Sequence, residues 1–479
     1  MQRTERSLPV ELLSCAFDWS SNEDVVRAAW VSHRWRSAAR TNEQFYRRAH
    51  MDTRDWTNIA PKIIAYGLPV ALSIFLHHNQ PEDEAPAFIE AILACLPFTL
   101  ELTVGCENSH PLQDFLRSLE ISPADRMRRL ELRVGNGDPD AAALPWTWPQ
   151  NLFAGRATRL SFLHLHGIAA PRAPISAFNG IRHMVLDGSR QPAPDLASAF
   201  PELRTLRLHC ATLAQPESLK VGRKIQSVEV FAMHPDTRLT NGDLARMFDR
   251  VGLARVPRVA LYLDTPEEHE TETGKIDSNI FFARMSQGLC AEFCLKDWKR
   301  GSRYLGVSSE DHSKRRSWTW ARNGAATGEH DPETRYSWIT HFRQTALRIV
   351  ELNIDALLLN ELCKFAGPAG LPELEQLSLS LAISTKTSAG VDLLESIPKL
   401  RTRIPCPNLW VLWLHTGHRF HDTAAVARID GECVRALLGM LVDEGTPPAR
   451  VQLRLSNVVL EHATSLLAEV GTFDFKVSI

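Results

Sequence analysis

Short apolar triplets recur along most of this chain, the second member three positions after the first and the third two positions later. The clearest are Leu160, Leu163 and Leu165; Leu203, Leu206 and Leu208; Val256, Val259 and Leu261; Leu347, Val350 and Leu352; Leu374, Leu377 and Leu379; and Leu409, Leu412 and Leu414. Side chains alternate along an extended chain, so the last two members share a face and each triplet predicts a short, half-buried strand. Partial copies stand at Leu100 and Leu102, Leu130 and Leu132, Ile181, Met184 and Leu186, Ile225, Val228 and Val230, and Val451 and Leu453. The middle positions are 21 to 39 residues apart, except for the 91 between Val259 and Val350, which leaves room for two or three further units. Such spacing belongs to stacked repeats. Between strands, Leu112, Phe115, Leu116 and Leu119, then Leu244, Met247, Phe248 and Val251, then Val434, Leu437, Leu438 and Leu441 have the spacing of amphipathic helices. The pattern predicts an α/β array of strand and helix units that bury their apolar faces by stacking.

Residues 8–50 follow a different rule. Pro9 suits a first helical turn, and Leu12, Leu13, Ala16 and Phe17 give the helix one apolar face. Ser20, Ser21 and Asn22 offer caps to a second helix with Glu23 and Asp24 in its first turn and Val25, Val26, Ala28 and Ala29 on its buried side. Val31, Trp35 and Ala38 or Ala39 predict a third face. Three short helices bury little apolar area alone, so a partner or the adjoining domain is expected to complete their core. The order Leu8, Pro9, Glu11, Leu12, Leu13, then Ala16 and Phe17, then Asp24 and Val25, then Val31, Arg34, Trp35 and Arg36 resembles the F-box family. Ala16 stands where a larger aliphatic residue is usual, and Ser20 where a leucine usually ends the first helix.

The strand pattern in turn resembles leucine-rich repeats, which commonly follow an F-box. Gly105, Gly135, Ala211, Asp355, Ala382 and Gly417 replace the Asn or Cys of that family, so the repeats are expected to be irregular. Together the resemblances imply an F-box at 8–50, a helical linker or cap at 51–95, and a curved, irregular leucine-rich-repeat-like solenoid at 96–479. They further imply a substrate receptor of an SCF ubiquitin ligase, which docks a Skp-type adaptor and through it a cullin, and holds an unknown protein target. The residues expected to serve Skp binding are Leu8, Pro9, Leu12, Leu13, Phe17, Val25, Val31 and Trp35. A scaffold acting outside a ligase would share this sequence.

Alternation along each strand directs a second set of residues away from the core, onto the concave face that such solenoids use for binding. These are Phe162, His164 and His166; Thr205, Arg207 and His209; Arg258 and Tyr262; Glu351 and Asn353; and Val411, Trp413 and His415. Aromatic and Arg side chains are the strongest anchors among them, which singles out Trp413, Tyr262 and Arg207.

Charge narrows the partners. With 54 Lys and Arg against 56 Asp and Glu the net is -2, which argues against a chain built to neutralise phosphates or coat an acidic membrane. The run Asp264 to Asp277 is expected as an exposed acidic loop. Lys296 to Arg322, where Trp298, Tyr304, Trp318 and Trp320 interleave with bases, could stack on nucleic-acid bases, but a solvated face or loop is the expected reading, with no nucleic-acid or membrane partner. No apolar run is long enough to cross a bilayer, the longest candidate ending at Leu76, and no secretory signal is read at the start. The expectation is a soluble protein of the cytoplasm or nucleus, with its nine cysteines reduced and mostly buried. His415, His418, His421 and Asp422 are the tightest set of metal-ligand types, expected as a solvated loop after a strand and not as a metal site. No nucleotide loop or nucleophile elbow is present, so no catalysis and no cofactor are expected.

Overall fold

The computed structural model describes residues 9–51, 56–67, 69–77, 85–135, 146–187, 195–209, 222–232, 245–246, 248, 252–264, 281–282, 289–297, 302–311, 314–322, 347–356, 370–381, 403–416, 427–442, 451–462 and 472–476. The chain divides into two compact units, Met1–Val228 with Arg250–Arg255, and Glu229–Asp249 with Val256–Ile479. Both contribute to a mixed α/β fold, and the helices at the N-terminus precede a large, mainly parallel sheet.

The first unit opens with α1 (Val10–Phe17), α2 (Asn22–Ala28) and α3 (His33–Thr41). Ser21 Oγ accepts the Asp24 N–H and Ser32 Oγ accepts the Trp35 N–H, so α2 and α3 each begin where a serine satisfies an otherwise orphaned donor. Leu13, Phe17, Val25, Ala28, Ala29, Ala38 and Ala39 form their common core, with Val10, Trp35 and Phe45 packed against it. Buried Asn42 closes the bundle, its amide donating to Ser14 O and Asp18 Oδ1.

Strand β1 (Arg48–Met51) follows, then α4 (Trp56–Tyr66), β2 (Val70–Leu76), α5 (Ala85–Cys95), β3 (Thr99–Cys106), α6 (Ser109–Ser118), β4 (Arg129–Val134), β5 (Phe162–His166), β6 (His183–Asp187), the single-turn α7 (Leu196–Ala199) and β7 (Thr205–His209). Residues 51–95, expected as a helical linker, therefore hold a strand as well as two helices. The alternation Val70, Leu72, Ile74 and Leu76 places β2 in the sheet between β1 and β3. All seven strands pair in parallel and in chain order. Register turns the leucine pattern into columns: Leu102, Leu130, Leu163, Met184 and Leu206 are successive partners, as are Val104, Leu132, Leu165, Leu186 and Leu208. Every one of these side chains is buried. The predicted helix with Leu112, Phe115 and Leu116 is α6, whose apolar side is buried.

The boundary between units falls within β8 (Ser227–Ala232). The second unit contains β9 (Arg258–Asp264), β10 (Leu289–Asp297), β11 (Ser302–Asp311), β12 (Lys314–Arg322), β13 (Ile349–Asp355), β14 (Gln376–Ser380), β15 (Val411–His415), β16 (Ala427–Asp430), α8 (Gly431–Leu441), β17 (Gln452–Ser456), β18 (Val458–Glu461) and β19 (Thr472–Lys476). Among the described residues, the wide gap between Val259 and Val350 holds β10, β11 and β12, an insertion that carries antiparallel pairs into the parallel order. There β11 pairs antiparallel with β10 and with β12, β12 pairs parallel with β9, and β10 pairs parallel with β13. Parallel order resumes from β13 through β14, β15 and β17 to β19. The β13 triplet is Ile349, Leu352 and Ile354, all buried, while Leu347, read as its first member, is exposed.

The basic and aromatic segment, expected as a solvated face or a loop, contains strands β11 and β12, which corrects the loop; Arg315 is exposed on β12 and Arg316 is buried. Arg316 is buried there because its guanidinium donates to the carbonyls of Val256 and Pro257, and burial draws its pKa down to about 10. The acidic run after Asp264, the helix positions Leu244, Met247 and Val251, and His418, His421 and Asp422 lie outside the described residues.

Candidate functional site

The three N-terminal helices divide their apolar residues between core and surface. Leu13, Phe17 and Val25 are buried, and Trp35 is half-buried with its ring 5.7 Å from that of Phe17, so these four hold the helices together. Pro9 is exposed at the start of α1, and Leu8 lies outside the described residues. Leu12 is 54% exposed and Val31 63%, although Val31 was expected on the third helix and sits instead just before α3. Two tryptophans that the apolar period does not select are more exposed still: Trp19 is 94% exposed and Trp30 80%. Leu12, exposed Ala16 and Trp19 follow one another at i, i+4 and i+7, a single helical stripe continued past the end of α1. Trp30 and Val31 lie in the turn beyond Ala29, the C-cap of α2. Tryptophans in so polar a segment were the available signal, because neither belongs to the apolar period that builds the core.

On the sheet of the first unit, the side opposite the leucine columns is polar. Register makes Glu131, His164, Val185 and Arg207 one row and Arg133, His166 and Asp187 the next. Glu131 is the hub of that face, its side chain only 6% exposed. It accepts from His164 Nδ1 at 3.0 Å, from Arg133 Nε at 2.6 Å and from Arg129 at 3.3 Å. The hydrogen bond from His164, with help from Arg133, outweighs desolvation and holds the Glu131 pKa down to about 2. Because a carboxylate only accepts, His164 carries its proton on Nδ1, and its buried Nε2 has no hydrogen-bond partner among the described residues. Asp187 accepts from His166 Nδ1 at 2.9 Å, and that bond lowers its pKa, whereas burial lowers that of His209. Arg129 lies 4.0 Å above the Phe162 ring. Thus Phe162, His164, Arg207 and His209 share one face, as alternation predicts, while Glu131, Arg133 and Asp187, which organise it, were missed.

In the second unit Arg258 is exposed, and Tyr262 stacks on Phe231 with centroids 4.4 Å apart and planes 7° from parallel. Glu351 is exposed, its carboxylate accepting from Cys290 Sγ. Trp413 is half-buried and donates Nε1–H to Ser456 Oγ at 3.0 Å, and its ring lies 4.9 Å from that of His415. Val411 and His415 are buried, so the face presented to solvent here is narrower than alternation implies.

The N-terminal helices decide the family comparison. Residues 6–52 match the F-box-like family. Among curated proteins none matches the chain. The F-box-like domain supports an F-box protein with an adaptor role in protein–protein interaction, and F-box domains generally bind Skp-type adaptors. Its core residues are Leu13, Phe17, Val25 and Trp35, and its exposed apolar residues are Leu12, Trp19, Trp30 and Val31. Among the described residues no helix is long and apolar enough to cross a membrane, and no group of three or more His, Cys, Asp and Glu is placed to hold a metal ion.

Proposed function

We propose that this chain is the substrate-recognition subunit of an SCF-type ubiquitin ligase. Its F-box-like helices dock a Skp-type adaptor, the adaptor joins a cullin, and the chain contributes proximity and no bond-making groups, so it is not itself an enzyme. The carrying observation is the apolar surface left over once the F-box-like core is complete. Leu12, Trp19, Trp30 and Val31 are exposed on a domain matched to a family of adaptor binders. Covering such residues supplies affinity, and a helical adaptor groove is a fitting cover.

The rest of the chain is read as an irregular leucine-rich-repeat-like solenoid, interrupted by the β10–β12 insertion. The support is the parallel, in-register columns of buried leucines at uneven spacing. On this reading the polar face of each unit is a candidate target-binding surface, with Phe162, His164, Arg207 and His209 on the first unit and Arg258, Tyr262, Glu351 and Trp413 on the second. Work of this kind places the protein in the cytoplasm or nucleus.

The test is co-purification with a Skp-type adaptor. Leu12→Glu and Trp30→Ala are expected to weaken the complex by about 2 kcal/mol each, roughly 30-fold, without lowering the melting temperature. Unchanged adaptor binding by both variants would sink the assignment of this surface.

A further inference from the structure

The turns that lead into the strands of the first unit stack as regularly as the strands themselves. Ser161 N–H donates to Arg128 O, Arg182 N–H to Ser161 O, Arg204 N–H to Arg182 O and Gln226 N–H to Arg204 O, at 2.8 to 3.0 Å. These residues are therefore successive rungs, about 4.8 Å apart. The residue before each rung, Met127, Leu160, Ile181, Leu203 and Ile225, is buried, which fixes the rung residues on the outside. Arg126, Arg128, Arg159, Arg182, Arg204 and Arg223 are all exposed along this leading edge. Among the described residues they have no ion-pair partner, whereas Arg156 is paired with Asp125 and Lys224 with Glu202. Glu202 feels the strip: the hydrogen bond from Lys224, then Lys224, Arg204 and Arg182 through space, lower its pKa.

In a chain of net charge -2 this strip is a local excess of positive charge. Arg182 and Arg204 stand on adjacent rungs, about 5 Å apart along the ladder, where like charges repel, and their one electrostatic partner of opposite sign among the described residues is Glu202, which acts at a distance and is already paired with Lys224. We propose that this arginine strip is a docking surface for an extended, acidic polypeptide segment of a partner protein. Side chains on one side of an extended peptide repeat about every 7 Å, within reach of long arginines at one- and two-rung separations. Guanidinium groups also pair with carboxylates through two parallel hydrogen bonds. A single-stranded nucleic acid fits less well, since among the described residues the strip is interleaved with Thr158, Ser161, Asn179 and Gly180 and carries no exposed Phe, Tyr or Trp between its arginines on which bases could stack. The strip uses none of the residues assigned to adaptor or target binding, so the proposal stands or falls apart from the ligase reading.

The experiment is fluorescence anisotropy of the full chain with a labelled peptide of about a dozen residues alternating Glu and Ser, at a salt concentration near physiological. The intact chain should bind it saturably and more tightly than an oligouridylate of equal charge or vesicles of anionic lipid. The double variant Arg182→Glu/Arg204→Glu should lose roughly tenfold or more in affinity. Arg27→Glu on α2 should change nothing. If the charge reversal lowers the melting temperature, Arg182→Ala/Arg204→Ala should show the same loss of peptide binding in a folded chain. Absence of peptide binding, unchanged affinity in the folded double variant, or tighter binding to the oligonucleotide or to vesicles would overturn the proposal.

Discussion

Glu131 shows how one residue organises a face. It stands in the middle of β4 on the polar side, yet three donors from its own strand and from β5 close over it. A carboxylate with a pKa near 2 adds stability to the fold above its ordinary pKa near 4.5, and that stability disappears as the pH falls through 4.5 toward 2. Glu131→Gln is therefore expected to destabilise the first unit at neutral pH by about 1–3 kcal/mol, because it leaves Arg133 and His164 without their charged acceptor. The difference in melting temperature between variant and wild type should shrink as the pH is lowered through that window. A difference independent of pH would show that packing, not the ion network, explains the loss. Trp413 illustrates the opposite lesson, since alternation directs it outward but its hydrogen bond to Ser456 and its contact with His415 tie it into the sheet.

At the level of elements, turns set how closely neighbouring units approach. Gly167 follows β5 with φ +70°, and a Cβ there would meet Val134 O at 2.8 Å. Gly167→Ala should cost about 1–3 kcal/mol, measured by chemical denaturation, because the left-handed conformation and the close approach both exclude a side chain. An unaffected midpoint would mean that the turn relaxes. Strands β5, β6, β7, β14 and β15 were legible from the leucine spacing, as were α6 and α8, because there the core-facing residues are apolar and local in sequence. Strands β1 and β2 were missed because short alternation beside helical segments reads as a linker. The β10–β12 insertion was missed for a different reason: buried Arg316 is satisfied by the carbonyls of Val256 and Pro257, some sixty residues earlier in the chain, and no local pattern announces such a partner. In β13 the correct register needed Ile349 in place of Leu347, but Glu351 and Asn353 alternate with the core either way.

For the whole molecule, the sequence separated the N-terminal helices from the sheet because the two obey different periods, and it identified the F-box-like segment before any geometry was known. It could not divide Leu12 and Val31 from Leu13, Phe17 and Val25, since all are apolar and only packing sorts them. Nor did it select Trp19 and Trp30, which lie outside the core period and are the largest exposed apolar side chains of the domain. On the proposed reading these exposed apolar residues bind a Skp-type adaptor. The decisive measurement is isothermal titration of the intact chain with a purified Skp-type adaptor. Saturable binding of one adaptor per chain is expected, weakened about 30-fold by Trp30→Ala. A folded chain that takes up no adaptor would contradict it.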